Sequence, residues 1–399
     1  MNGTQPTPNI ALGELCSYQN GGTPSKKNPN YWGGEIPWIT SSEIKGGSVL
    51  PARSSITKLG ESKSAAKRVP QGTLLLVSRT GVGKIAVAPY SLAFSQDITA
   101  VFPNAATLYS GYLYRFLAYQ SKYFERNSRG ATIKGITRDV LNCLQIPLPL
   151  LAEQKRIAEI LDRAEALRAK RRAALALLDE LTQSIFLDMF GDPRERIALG
   201  GVELDAVVEE FRYGTSNKSG ENGYPALRIP NIIRGSIDCT ELKSVLVDDA
   251  EYSRLRLVDG DMLFVRTNGN PDYVGRCAVF ERSAVGHSAY NPEEFIYASY
   301  LIRARLKASV LPVFIRELML TSEGRKNTRA KSKTSAGQYN INTKGLGSLP
   351  IFVPSIEQQR EFVDRVQAVN GMKTVHSASA SELDQLFASL QHRAFRGEL

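Results

Sequence analysis

Residues 151–189 read LAEQKRIAEILDRAEALRAKRRAALALLDELTQSIFLDM, and this stretch decides the fold. It holds neither Gly nor Pro and is rich in Ala, Leu, Glu, Arg and Lys, all strong helix formers. Pro149 precedes it, and Gly191 and Pro193 follow, which sets a start and a stop. Ile157, Ile160, Ala164, Leu167, Arg171, Ala174, Leu178, Leu181 and Ile185 alternate spacings of three and four. That is a heptad seam with one polar break, Arg171. The predicted helix is on the order of 58 Å long. Its apolar stripe needs a partner.

The chain supplies one through an internal repeat. Gly260-Asp261-Met262-Leu263-Phe264-Val265 matches Gly72-Thr73-Leu74-Leu75-Leu76-Val77, and each is followed by an Arg-Thr pair. A second stretch aligns without gaps at an offset of 205, as Gln359 stands against Gln154. It pairs Ile136 with Ile341, Leu141 with Leu346, Leu144 with Leu349, Ile146 with Ile351 and Pro149 with Pro354. A period this long is two copies of a domain plus a helix, not a solenoid unit. The offset places a second long helix after Pro354, and Ser355 with Gln358 offers a capping box at its start. Phe362, Val366, Val369, Lys373, His376, Ala380, Leu383, Phe387, Leu390 and Ala394 form its seam, with polar breaks at Lys373 and His376. Antiparallel pairing of the two helices would bring Arg171 and His376 close to each other near the midpoint.

The reading is therefore a mixed α/β (α+β) fold with a pseudo-two-fold internal repeat. Its parts are a globular domain over 1–150, a long spacer helix over 151–189, a second domain over 190–354 and a second spacer helix over 355–399. Inside the first domain, Leu74–Val77 and Lys84–Val87 read as a hairpin around the Gly81-Val82-Gly83 turn, and Tyr109–Arg126 as helix. At 399 residues and 42% hydrophobic content the chain can bury a sizeable core. It has no run of about 18 apolar residues and no signal-peptide pattern, so a cytoplasmic, membrane-free protein is expected. The four cysteines lack metal-ligand spacing and are expected to be buried free thiols.

The net charge of +10 is uneven. Residues 1–150 hold 16 Lys/Arg against 7 Asp/Glu, residues 151–189 hold 7 and 7, residues 190–354 hold 22 and 20, and residues 355–399 hold 5 and 6. The excess avoids the helices and sits on the domains, which suggests a polyanion such as nucleic acid. Residues 325–333 carry five positive charges, Arg325, Lys326, Arg329, Lys331 and Lys333. The first domain has Lys122, Arg126, Arg129 and Lys134, with Ser128 and Thr132 interleaved. Such groups follow phosphates. Base reading needs polar side chains on loops. The candidates are Ser25, Lys26, Lys27, Arg79 and Lys84 in the first domain, and Ser216, Asn217, Lys218, Arg228, Asn231, Arg266, Asn268 and Asn270 in the second.

Catalytic signatures fail one by one. Gly81-Val82-Gly83-Lys84 lacks the spacing of a phosphate loop. Asn291-Pro292-Glu293-Glu294-Phe295 lacks the second proline of an amino-methyltransferase site, and no Glu-x-Lys follows Pro271-Asp272 as in a nuclease. His287, His376 and His392 are scattered, so neither a metal site nor a histidine triad is expected.

The whole chain resembles the specificity subunit of type I restriction-modification systems. The resemblance rests on Gly21-Gly22-Thr23-Pro24-Ser25 with Tyr31-Trp32-Gly33-Gly34 and Ile36-Pro37-Trp38-Ile39, and on the joint Ile146-Pro147-Leu148-Pro149-Leu150-Leu151-Ala152-Glu153-Gln154-Lys155-Arg156-Ile157. It rests also on Phe186-Leu187-Asp188-Met189-Phe190-Gly191-Asp192-Pro193, Tyr224-Pro225-Ala226-Leu227-Arg228-Ile229-Pro230-Asn231-Ile232 and the ending Ala394-Phe395-Arg396-Gly397-Glu398-Leu399. The second joint, Pro354-Ser355-Ile356-Glu357-Gln358-Gln359-Arg360, departs from the fuller form, and Gly371 is unexpected in a spacer helix.

The resemblance implies two target-recognition domains, each reading half of a bipartite site in double-stranded DNA, with the paired helices fixing the spacer. It implies two modification (methyltransferase) subunits that flip an adenine for N6-methylation, and restriction subunits that are ATP-driven translocases. This chain would be non-catalytic and bind no cofactor; S-adenosylmethionine, ATP and Mg would serve its partners. A modification-only or other phage-defence methylase assembly would use the same type of subunit. From other classes, a fused methyltransferase or nuclease, and a coiled-coil assembly protein with incidental basic patches, remain as alternatives.

Overall fold

Both long helices are present in the computed structural model, as Leu151–Phe190 and Ile356–Ala394. The structure describes residues 7–130, 134–233, 235–286, 288–335 and 337–399. Thr132 and His287 lie outside the described residues. The chain forms two compact units, Met1–Arg172 with Ala378–Leu399, and Ala173–Ser377. Each unit is one globular domain with half of each long helix.

The two domains repeat one topology. In the first unit an antiparallel sheet has the order Cys16–Asn20, Ile98–Pro103, Leu74–Val77, Ile85–Val87. In the second the order is Val208–Tyr213, Leu301–Leu306, Met262–Val265, Cys277–Val279, again antiparallel. The expected hairpin is thus observed, and its repeat partner with it. A second sheet in each unit contains one parallel pair, Trp32–Ile39 with Leu92–Phe94 and Tyr224–Leu227 with Ile296–Tyr297. The aromatic stretch expected as one helix is two, Ser110–Tyr119 and Ser121–Arg126, matched in the second unit by Pro312–Leu320 and Ser322–Lys331. A short two-stranded sheet closes each domain, Asn9–Ala11 with Gln145–Pro147 and Val202–Glu203 with Pro350–Ile351.

The joint between domain and helix is built the same way twice. Gln154 and Gln359 are fully buried at 0% exposure. Gln154 Oε1 accepts the Tyr109 amide at 2.8 Å, while its Nε2 donates to the Thr107 and Pro149 carbonyls at 2.9 and 2.8 Å. Gln359 Oε1 accepts the Leu311 amide at 2.8 Å, and its Nε2 donates to the Ser309 and Pro354 carbonyls at 3.2 and 2.9 Å. One amide thereby satisfies the loop before a core helix and the last turn before the spacer helix. The capping box at Ser355 is formed: the Ser355 amide donates to Gln358 Oε1, and the Gln358 amide to Ser355 Oγ, both at 3.3 Å.

Within each unit the helix halves run antiparallel. In the first unit Arg168 Nε donates to Asp384 Oδ1 at 2.6 Å, and its guanidinium covers the Phe387 ring at 4.3 Å. Ile157, Ala158 and Leu161 share a core with Phe387, Ala394 and Phe395. In the second unit Lys373 Nζ lies 2.9 Å from Asp179 Oδ1, and Phe186 and Phe190 pack at 5.5 and 5.3 Å from Phe362.

Along the second helix Phe362, Val366 and Val369 are buried, and His376, Leu383 and Leu390 are half-buried. Gly371 lies within the unbroken helix. The first seam needs correction at alternate positions. Ile157, Ala164, Arg171, Leu178 and Ile185 stand on it, but Leu167 and Leu181 are 54% and 39% exposed. Their places, and that of Ile160, are taken by Arg168, Thr182 and Leu161. Leu161 is buried in the core, and the two polar residues bond to the partner helix. Arg168 serves Asp384, and Thr182 Oγ1 accepts from Lys373 Nζ at 3.4 Å. Arg171 belongs to the first unit and His376 to the second.

The domains differ in one interior feature. In the second, Arg303 is 1% exposed, pairs with Glu210 and donates to the carbonyls of Arg254 and Arg256 at 3.1 and 3.3 Å. Hydrogen bonds from Arg212, against the opposing effect of burial, and from Arg303 hold the Glu210 carboxyl below the usual range. In the first sheet Ala100 stands in Arg303's place, opposite Leu75 as Arg303 is opposite Leu263.

Candidate nucleic-acid interface

Each domain brings three chain segments to one end of its antiparallel sheet. The first is the turn between a central strand and the edge strand beside it, residues 78–84 and residues 266–276. It is closed by the Gly83 amide on the Val77 carbonyl at 3.0 Å, and by the Gly275 amide on the Val265 carbonyl at 2.7 Å. The second is the segment after helix Ser121–Arg126, or after Ser322–Lys331. The third is the return strand toward the joint, where the Ile136 amide donates to the Ser78 carbonyl and the Ile341 amide to the Arg266 carbonyl, both at 2.9 Å. Bridges complete the pattern: Arg79 and Arg129 both pair with Gly135, and Thr267 and Lys333 both pair with Asn340.

In the first domain this junction gathers Arg79, Lys84, Arg126, Arg129 and Lys134, all exposed. Arg79 Nε stays 3.8 Å from the Asp97 carboxylate, a loose pairing that leaves the guanidinium accessible. Thr80 at φ +54° makes the turn sharp. Ser25, Lys26 and Lys27 are exposed on a different loop, the one that leads to Trp32–Ile39, where the Ser25 carbonyl accepts Trp32 Nε1 at 3.2 Å.

In the second domain the junction holds Arg266, Asn268, Asn270, Lys326, Lys331 and Lys333. The Arg266 guanidinium lies 4.8 Å over the Tyr213 ring. Lys331 and Lys333 are exposed, and Lys326 pairs with Glu323 at 3.4 Å. Ser216, Asn217 and Lys218 lie exposed on another loop, and the Asn217 amide is committed to the Leu246 carbonyl at 2.9 Å. Arg228 is half-buried and reaches the Glu241 carbonyl at 3.5 Å.

Two expected DNA contacts, Asn231 and Arg325, have their polar groups engaged within the chain. Asn231 is buried; its amide nitrogen donates to the carbonyls of Asp238 and Glu241 at 2.8 and 3.1 Å, and its oxygen accepts the Arg228 amide at 2.9 Å. It caps a turn, as Glu43 does through Thr40 in the first domain. Arg325 is turned inward, onto the carbonyls of Asp272 and Val274 at 3.2 and 2.7 Å. Arg329 is engaged too, by the Asp272 carboxylate. Residues not singled out in the sequence lie at the junction as well. Thr267, Gln338 and Asn340 lie on a small three-stranded sheet, and Arg276 stacks 3.6 Å over Tyr273. The signal was available: the 205-residue offset sets Asn340 against Gly135, next to the aligned Ile136 and Ile341.

Among the described residues no group of three or more His, Cys, Asp or Glu side chains is placed to hold a metal ion. Burial pushes the Cys16 and Cys277 thiols up to about 12, away from thiolate chemistry. Cys143, expected to be buried, is exposed after the short helix Arg138–Asn142. No described helix is long and apolar enough to cross a membrane.

Residues 8–176 match the family model described as type I restriction modification DNA specificity domain. The chain is 27% identical to the EcoKI specificity subunit of Escherichia coli K12, over 91% of this chain and 82% of that protein. It is 25% identical to the StySPI specificity subunit of Salmonella potsdam, over 84% and 76%. Among solved structures, the type I restriction-modification S subunit from M. genitalium shares the fold, with a TM-score of 0.58 at 16% identity over 99% of this chain and 97% of that one.

Proposed function

The chain belongs to the family of type I restriction-modification specificity subunits, and from that premise we propose how it acts. Each domain reads one half of a bipartite sequence in double-stranded DNA through its three-segment junction. The observation that carries this is the duplication of the junction with its charge: the same bridges and closing hydrogen bonds present Arg79, Lys84, Arg129 and Lys134 in one domain and Lys331, Lys333, Asn268 and Gln338 in the other. Lysines and arginines neutralise phosphates and set orientation, while amides and guanidiniums on the loops reach base edges. A narrow polar strand pair of this kind fits the major groove.

The chain supplies sequence choice and no chemistry of its own. Adenine-N6 methylation and cleavage belong to modification and restriction subunits, which use S-adenosylmethionine, ATP and Mg. Extruding a base costs a few kcal/mol, so a rigid frame that holds methylases in register with the site is useful. The near-neutral long helices suit protein contacts better than DNA, and Leu167, Leu177 and Leu187 stand exposed along the first of them.

The test is equilibrium binding of the full chain to a DNA pool at several salt concentrations. With about six phosphate contacts, the logarithm of affinity should fall against the logarithm of salt with a slope of about −5. Replacing Arg129 and Lys134 together with Gln should flatten the slope by about 2. Binding that ignores salt would contradict the reading.

A further inference from the structure

The second reading loop is much more strongly braced than the first. Two side-chain turns follow one another in it: Asn268 Oδ1 accepts the Asn270 amide, and Asn270 Oδ1 accepts the Asp272 amide, both at 2.9 Å. Three guanidiniums then converge on Asp272. Arg276 Nε and Arg325 Nη2 donate to its carbonyl at 3.0 and 3.2 Å, and Arg329 pairs with its carboxylate. Arg325 Nη2 also donates to the Val274 carbonyl at 2.7 Å. Next in the chain is Gly275, at φ +68°, pressed so closely on helix Ser322–Lys331 that a Cβ there would lie 2.0 Å from Thr328 Cγ2. Helix and loop form one splinted piece. In the first domain the equivalent helix is six residues long rather than ten, its turn is shorter, and its fourth residue, the place of Arg325, is Phe124.

We propose that Arg325 is the positioning residue of the second reading loop: it holds Asn268, Asn270 and Tyr273 in a fixed pose, and so sets the discrimination of one half-site only. This rests on the specificity reading above. Arg325 does so through one guanidinium nitrogen, Nη2, whose two N–H groups reach two carbonyls two residues apart. Lysine keeps the charge, but its Nζ ends one bond short of Nη2 and lacks the planar group that fixes the two N–H directions. The chain thus uses two designs for one task. The first domain reads with exposed, loosely paired cations, and the second with a loop fixed before DNA arrives, which lowers the ordering cost of binding.

The experiment selects bound sequences from a randomised duplex pool with the full chain, as wild type, Arg325→Lys and Arg329→Gln. Wild type should select a two-part motif. Arg325→Lys should keep one half and the spacer intact and lose about tenfold in preference at positions of the other half, with its thermal midpoint within a few degrees of wild type. Arg329→Gln, which opens only the ion pair to Asp272, should weaken the same half by less, and it decides the matter if Arg325→Lys is unstable. Two unchanged halves, or two halves weakened equally, would overturn the proposal. A wild-type chain that selects no two-part motif would instead overturn the specificity reading beneath it.

Discussion

The single residues that matter most here are polar and buried. Gln154 and Gln359 were visible in the sequence only as a pair at the repeat offset; their work shows in the hydrogen bonds. Each fills a three-bond site that no other side chain of similar size fills, because it needs one acceptor and two donors on one planar group. Gln359→Ala is expected to destabilise the second unit by about 2–3 kcal/mol, by leaving buried backbone groups unpaired. Chemical denaturation measures it, and a loss below about 0.5 kcal/mol would show that the joint is held otherwise. Asn231 and Arg325 teach the reverse lesson. Residue type marks an Asn and an Arg as DNA contacts, but each is consumed by carbonyls of its own chain. A sequence does not show which loop polar groups a fold has already spent.

At the scale of elements, both long helices and the repeat were legible because Gly and Pro are excluded over long stretches and the apolar spacing persists. In the second helix Phe362, Val366 and Val369 leave little choice of which face turns inward. The first helix places its inward face one residue later at alternate positions. Leu167 and Leu181 attract the eye, whereas the true positions carry Arg168 and Thr182. Carrying the second seam back by the 205-residue offset lands on Leu161, Arg168 and Thr182, so the repeat contained the answer that hydrophobicity hid. Leu161→Ala should therefore cost about 2–5 kcal/mol and Leu167→Ala less than about 0.5. Equal costs in denaturant titrations would restore the other seam. The three-stranded junction was illegible for a different reason: its strands are only two or three residues long and polar, with no period to detect.

For the whole molecule, two domains of one topology on shared helices separate two tasks. In the proposed function the domains choose bases, and the helices choose the distance between the choices. Because the pairing is antiparallel in each unit, lengthening one helix alone would break the register with its partner. Inserting seven residues after Arg171 and seven more after Ser377 keeps the seam and adds about 10 Å. The recognised spacer should then lengthen by about three base pairs, at roughly 3.4 Å each, with both half-sites unchanged. An unaltered spacer in the selected motif would show that the helices do not act as a ruler. The most direct test of the central claim is domain exchange. Residues 8–150 are replaced by the same domain of another family member, and the bipartite motif methylated in a host carrying the full system is read by modification-sensitive sequencing. One half of the motif should change while the other half and the spacer stay as they were; a change in both halves, or in neither, would contradict the account.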